Sequence, residues 1–246
     1  MKTSVTKAAS LCCLFTGAIY AQGQGGSHYR NAGSGWMGRA VRTPVTGAPY
    51  SATRTTLTER VLADGNHISR TAQSKVYRDT HGRTRVERTI TPQASSGKQP
   101  FTMVTIVDPV AGYRYVLNSS TMTAFQTALP TTSDTPPART GPPQNAQVSS
   151  VSLGTQTING VPASGTQVTR TIPAGAIGNS QPITIVRTRW ISTALKVPVE
   201  VKSSDPRFGT IDMELTGIQQ AEPDPSLFSV PPGYTVKAHA RFRSRG

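Results

Sequence analysis

From residue 54 onward, apolar and polar positions alternate along this chain with a period of two. The clearest runs are residues 196–202, where Val197, Val199 and Val201 oppose Lys196, Glu200 and Lys202, and residues 211–216, where Ile211, Met213 and Leu215 oppose Asp212, Glu214 and Thr216. Successive side chains of a strand point to opposite faces, so each run predicts a strand with one dry and one wet face. The short join at 203–209 makes the two antiparallel neighbours. Runs rich in Thr, Val, Arg and Tyr predict further strands at 54–62, 67–77, 83–91, 101–107, 122–127, 155–158, from Val161 onward, and at 183–191, which carries Trp190. Another strand places Tyr113, Tyr115 and Leu117 on one face. Met103, Val104, Ile106 and Val107 make 101–107 apolar on both sides, predicting a strand covered twice.

Turn chemistry separates these runs: 63–66, 79–82, 108–112, and Asn159-Gly160, a two-residue hairpin turn of type I′. No stretch of ten residues has a helical period. One helical turn is predicted at 224–228, with Asp224 as cap, Pro225 at the first helical position, and Leu227 and Phe228 plugging the end of the sheet. The fold class is therefore all-β and mostly antiparallel, with few or no long helices.

The pattern fails in four places. Residues 1–21 have Lys2 and Lys7, an apolar stretch at 8–20 and a small Ala21, which is the layout of a secretory signal peptide. Residues 22–50 are rich in Gly with no apolar period, and predict a flexible leader. Residues 129–147 contain Pro130, Pro136, Pro137, Pro142 and Pro143, which cannot donate to a ladder. They predict a long surface loop, with a linker between two sheet halves as the alternative. Residues 237–246 form a basic tail. A single β domain at 51–236 remains.

Composition sharpens this in two ways. Cys12 and Cys13 both fall in the signal segment, so the mature chain is expected to use no disulfides despite export. The formal charge is +14 across 246 residues. Export argues against nucleic acid as the partner of that charge and favours an anionic envelope surface or solvated strand faces. Arg83, Arg85 and Arg88, or Arg187 and Arg189, are candidates to grip phosphate headgroups; cross-strand pairing to Glu87 or Glu59 is the alternative.

No catalytic constellation is evident. His28, His67, His81 and His239 show no metal-ligand spacing, and no nucleophile elbow is present. Glu222, Asp224, Asp205 and Asp212 are candidates for acid–base work or calcium, but a helix cap, a turn and a wet face account for the last three. No metal, cofactor or enzymatic activity is expected.

The C-terminal third carries a family resemblance. A strand bearing Trp190, then Ala194-Leu195-Lys196-Val197-Pro198-Val199-Glu200-Val201, a strand ending near Gly217-Ile218, and Glu222-Pro223-Asp224-Pro225-Ser226-Leu227-Phe228-Ser229-Val230-Pro231 resemble the closing strands of the LolA-like periplasmic lipoprotein-carrier and sensor superfamily. Residues 62–66, 77–79 with 82–85, and 205–209 also resemble exported proteins of unassigned function from soil bacteria. The first resemblance implies one strongly curved antiparallel sheet, a half-barrel around an apolar hollow, in a periplasmic or secreted protein. It implies a non-catalytic binding role toward a lipid or acyl chain, on a wall of Tyr113, Tyr115, Trp190, Val197, Val199, Val201, Ile211, Met213 and Leu215. The competing expectation is an envelope structural or protein-interaction module with a packed core and no cavity.

Overall fold

The computed structural model describes residues 44–130 and 146–238. The expected signal peptide, most of the leader, the proline-rich 131–145, and the tail from 239 lie outside the described residues, as do His28 and His239.

Strands β1 (Tyr50–Val61), β2 (His67–Arg78), β3 (Thr84–Ile90), β4 (Phe101–Asp108), β5 (Tyr113–Asn118) and β6 (Thr123–Ala128) form one antiparallel meander. Strands β7 (Gln147–Ile158), β8 (Val161–Ile172), β9 (Ile183–Ser192), β10 (Pro198–Asp205) and β11 (Gly209–Gln219) form a second. Pairing of β1 with β11 joins them into one sheet, and β12 (Thr235–Ala238) adds parallel to β6. The order is β12-β6-β5-β4-β3-β2-β1-β11-β10-β9-β8-β7. The all-β expectation holds, and the helical content of the described residues is two short 3-10 turns.

The sheet is strongly curved. Asn159, at the β7–β8 turn, donates to Oε1 of Glu214 at 2.8 Å and to the Leu215 carbonyl at 2.6 Å. In a flat sheet β8 and β11 would stand three strand spacings apart, about 14 Å. Only curling brings them together. The turn is the expected one: Asn159 and Gly160 have φ of 48° and 83°, both positive as type I′ requires.

Two apolar clusters anchor the curl. One joins Tyr50, Ala52, Val76, Val161, Ala163, Trp190, Leu195, Val199 and Leu215. Gly165 leaves room for the Trp190 ring, because a Cβ there would lie 2.6 Å from it. The other joins Val104, Ile106, Leu117 and Ala124, with Tyr115, Val230 and Tyr234 packed on it. The chain after β11 reaches this second cluster through the turn Pro225–Phe228. Asp224 accepts from Ser226 N and Pro225 opens the turn, as the sequence predicts, and Phe228 is buried.

Several boundaries move. β1 begins at Tyr50, inside the expected leader, where Arg78 donates twice to the Ala48 carbonyl at 2.9 and 2.6 Å. β7 begins at Gln147 rather than 155. It is a sheet edge exposed on both faces, so no alternation marks it. Lys196 has φ of 55° and belongs to a turn, and β10 starts at Pro198 with a register shift before Glu200. Lys237 and Ala238, expected in the tail, pair with β6. β4 has one dry face: Val104 and Ile106 are buried, while Met103 and Val107 are only half-buried.

Candidate ligand-binding face

Cross-strand partners share a face, so register assigns each strand residue to one side of the sheet. One row runs Thr166–Arg189–Val201–Met213–Thr56–Ala72 across β8, β9, β10, β11, β1 and β2. The next runs Val168–Arg187–Ser203–Ile211–Thr58–Arg70. Leu215, Arg54 and Ser74 form another row on the same side. Along these strands this side is the drier one. Val201 and Leu215 are buried and Ile211 and Met213 half-buried, whereas Lys202, Asp212 and Glu214 on the opposite side are exposed. We call it the inner face.

Register divides the expected wall, while the first cluster joins Trp190, Val199 and Leu215. Val201, Ile211, Met213 and Leu215 share the inner face. Trp190 pairs with Glu200 and so falls by register on the side opposite Arg189, yet it belongs to the first cluster, which joins it to Leu195, Val199, Val197 and also Leu215. Tyr113 and Tyr115 pair with Asp108 and Ile106 on the other side of β4, at the second cluster. Their rings are 6.3 Å apart, with Tyr113 exposed and Tyr115 hydrogen-bonded to Gln126 at 3.1 Å.

Charge separates across the sheet. Every strand arginine except Arg85 lies on the inner face by register: Arg54 and Arg60 on β1, Arg70 and Arg78 on β2, Arg88 on β3, Arg114 on β5, Arg170 on β8, and Arg187 and Arg189 on β9. Glu59, Glu87, Asp108, Glu200, Asp212 and Glu214 lie on the outer face, with Lys75 and Lys202. Asp205 is the one strand carboxylate inside, and Arg207 holds it through two bonds of 2.9 and 2.7 Å. That bond is the main reason the Asp205 carboxyl sits below its ordinary range, with Arg170 adding a smaller attraction.

The two sets of arginines have different surroundings. Outside, Arg85 Nε meets Glu87 Oε1 at 2.7 Å and its Nη1 donates to the Leu227 carbonyl at 2.8 Å. Arg83, in the turn before β3, donates to Asp79 Oδ2 at 2.5 Å and lies 5.2 Å over the Phe228 ring. Inside, Arg54 donates to the Ser74 hydroxyl at 3.2 Å. Burial holds its guanidinium below the usual arginine range, and the cation of Arg88 pushes it the same way. Burial also lowers Arg187, with Arg189 adding to the effect. Arg170 Nε is buried and has no hydrogen-bond partner among the described residues. Sequence reading missed this separation because it grouped arginines by nearness in the chain, taking Arg85 with Arg88 although they fall on opposite faces. The signal lay in the parity of their positions within each strand.

Two cavities are described. One of about 360 Å³ lies between the β1–β2 and β10–β11 turns and is lined by Arg60, Leu62, Asp205 and Arg207 among others. One of about 260 Å³ lies over Glu59, Thr188, Lys202 and Asp212 on the outer face. Neither is lined by an expected wall residue.

Asp79, His81 and Glu222 bring ligating atoms within 4.8 Å of one another. The two carboxylates already serve the chain: Asp79 accepts from Arg83, and Glu222 accepts from the Thr80 N–H at 3.0 Å and from its hydroxyl. The remaining candidate acids have structural posts: Asp224 caps, Asp205 turns before Pro206, and Asp212 is exposed.

No family model and no curated protein matches this chain. Solved structures with partial likeness include an uncharacterised conserved protein from Thermus thermophilus (12% identity, 78% of this chain and 91% of that one, TM-score 0.43). Others are MucB (11%, 81% and 63%, 0.40) and a LolA superfamily protein from Nitrosomonas europaea (8%, 74% and 90%, 0.29). The superfamily named from the C-terminal strands thus reappears among them. With TM-scores below 0.5, these likenesses carry no argument about what the chain does.

Proposed function

We propose that this chain is an exported, non-catalytic binding protein that shelters an apolar ligand, a lipid or acyl chain, on the inner face of its curved sheet. The observation that carries the reading is the row Val201–Met213 with Ile211 and Leu215 beside it. These apolar side chains lie on the drier side of β10 and β11, and no helix covers that side among the described residues. Val201 and Leu215 are already buried by the chain, so a ligand would cover the half-exposed Ile211 and Met213, contributing about 25 cal/mol per Å² of apolar surface removed from water. The absence of catalysis is supported by the structural posts of Asp79, Glu222, Asp224 and Asp205. In the chain as we read it, residues 1–21 direct export, 22–50 lead into a β domain at 51–236 that includes the loop 129–147, and 237–246 close it.

Mass spectrometry of lipid co-purified after native extraction tests this. A bound lipid that Met213→Asp removes is the expected result. No lipid, and no binding of a fluorescent fatty acid at micromolar concentration, overturns the reading.

A second reading has its own observation. Edge strand β7 exposes Val148, Val151 and Leu153 together with an unpaired strand edge, the kind of surface to which an extended partner segment adds. It describes a protein-interaction module in the cell envelope, with the sheet as scaffold.

A further inference from the structure

We infer that the inner face seats a phosphate group between Arg54 and Arg88, with the ligand's apolar part lying along Met213 and Ile211. The inference rests on the sheltering role proposed above and names its ligand class: a phosphorylated amphiphile.

Three observations lead there. The first is placement. Arg54 on β1 faces Ser74 on β2, and Arg88 on β3 is two residues from Val86, which faces Val76 on that same β2. The two arginines therefore flank Ser74 on one side of the sheet. Their backbones are two strand spacings apart, about 10 Å, a gap that two arginine side chains span from opposite sides.

The second is the missing counter-charge. The carboxylates of the neighbouring strands, Glu59, Glu87 and Glu214, all lie on the outer face, and Asp205 on β10 is held by Arg207. A half-buried guanidinium beside a like charge is costly unless an anion joins it. Burial is the main cause that disfavours the charged form of Arg54; Tyr50 opposes it, and the Arg88 cation adds a smaller push the same way as burial.

The third is the choice of cation. Along β1–β11 the inner face uses arginine, while Lys75 and Lys202 are on the outer face. Arginine presents a planar fork that makes two parallel bonds to phosphate, and it sheds water more readily than an ammonium. A phosphate monoester has enough acceptor oxygens for two forks and the Ser74 hydroxyl. Met213 and Thr56 lie one row away from Leu215 and Arg54, so an acyl chain leaving that phosphate meets the apolar strip directly.

The test is calorimetric titration of the folded protein with dihexanoyl phosphatidic acid, matched dihexanoylglycerol and inorganic phosphate, each also with the Arg54→Gln/Arg88→Gln double variant. Phosphatidic acid should bind about tenfold tighter than the diacylglycerol, and the double variant should lose that preference while keeping diacylglycerol binding. Affinity of the unaltered protein for phosphatidic acid should fall with added salt while diacylglycerol affinity holds, a readout that needs no variant. Equal binding of both lipids overturns the phosphate seat and leaves the sheltering role. Inorganic phosphate binding as tightly as phosphatidic acid, and lost in the double variant, keeps the seat, assigns it to free phosphate and overturns the sheltering role. Binding of none of the three overturns both.

Discussion

The outer side of β3–β6 and the inner side of β1, β3 and β8–β11 use the same residue type in opposite ways. Outside, Arg85 and Arg83 each have a carboxylate, and each holds the C-terminal segment, one by the Leu227 carbonyl and the other by the Phe228 ring. Their charge is spent on tying the chain down. Inside, Arg54 and Arg88 have each other and a serine hydroxyl. An arginine's worth to the fold is set by what stands within reach of its fork. The contrast is between these particular arginines and not between whole faces, since Arg78, also inside, ties down the Ala48 and Leu195 carbonyls.

The sharpest way to break the comparison is at the plug. Phe228→Ala removes the ring that lies under Arg83 and takes the side chain out of a buried site. A loss of about 3–5 kcal/mol is expected, read from the midpoint of urea unfolding. A loss below about 1 kcal/mol would mean that the segment only rests on the sheet. Next comes Arg85→Ala. It strands the Leu227 carbonyl and the Glu87 carboxylate together, and should cost about 1–3 kcal/mol in the same measurement.

The inner partner of that experiment is Arg88→Gln, and its expected sign is reversed. Removing a cation from beside the half-buried Arg54 relieves repulsion and breaks no ion pair among the described residues. Thermal unfolding of the free protein should therefore show no loss, and a gain of a few tenths of a kcal/mol. If Arg88→Gln costs as much as Arg85→Ala, the two faces are alike, and the inner arginines are ordinary structural ones.

Much of this architecture was legible in the chain. Strict alternation at 211–216, the Asn159-Gly160 turn and the Asp224-Pro225 cap are local signals, and the structure realises each one. Other features were hidden because their causes are not local. Strand β7 has no alternation, since an edge wet on both sides imposes none. Lys196 looked like the first alternating residue of a strand, but its positive φ comes from the turn that seats Leu195 in the core. The wall residues Tyr113 and Tyr115 shared a period with the others but not a face, because which side of a strand turns inward is decided by pairing across the whole sheet. The segregation of arginine from carboxylate was present in the sequence as parity, yet it acquires meaning only once register aligns one strand's parity with the next.

The smallest effect concerns the one acid on the inner face. Asp205 is bonded by Arg207, so its folded pKa lies below the ordinary aspartate value near 3.9. A depressed carboxyl stabilises the fold above the unfolded value, and that contribution is lost as pH falls through the folded one. Asp205→Asn should therefore cost about 1 kcal/mol or less at pH 7, and this difference from the unaltered protein should vanish at the acid end of a stability–pH profile taken from pH 7 downward. The same substitution removes the only inner-face strand carboxylate, near Arg170 and Arg207. If the inner face is a seat for anions, inorganic phosphate should then bind no more weakly than before, while stability at pH 7 drops. A variant that loses both together would show that Asp205 orders the arginines, and that the two faces differ less than their charges suggest.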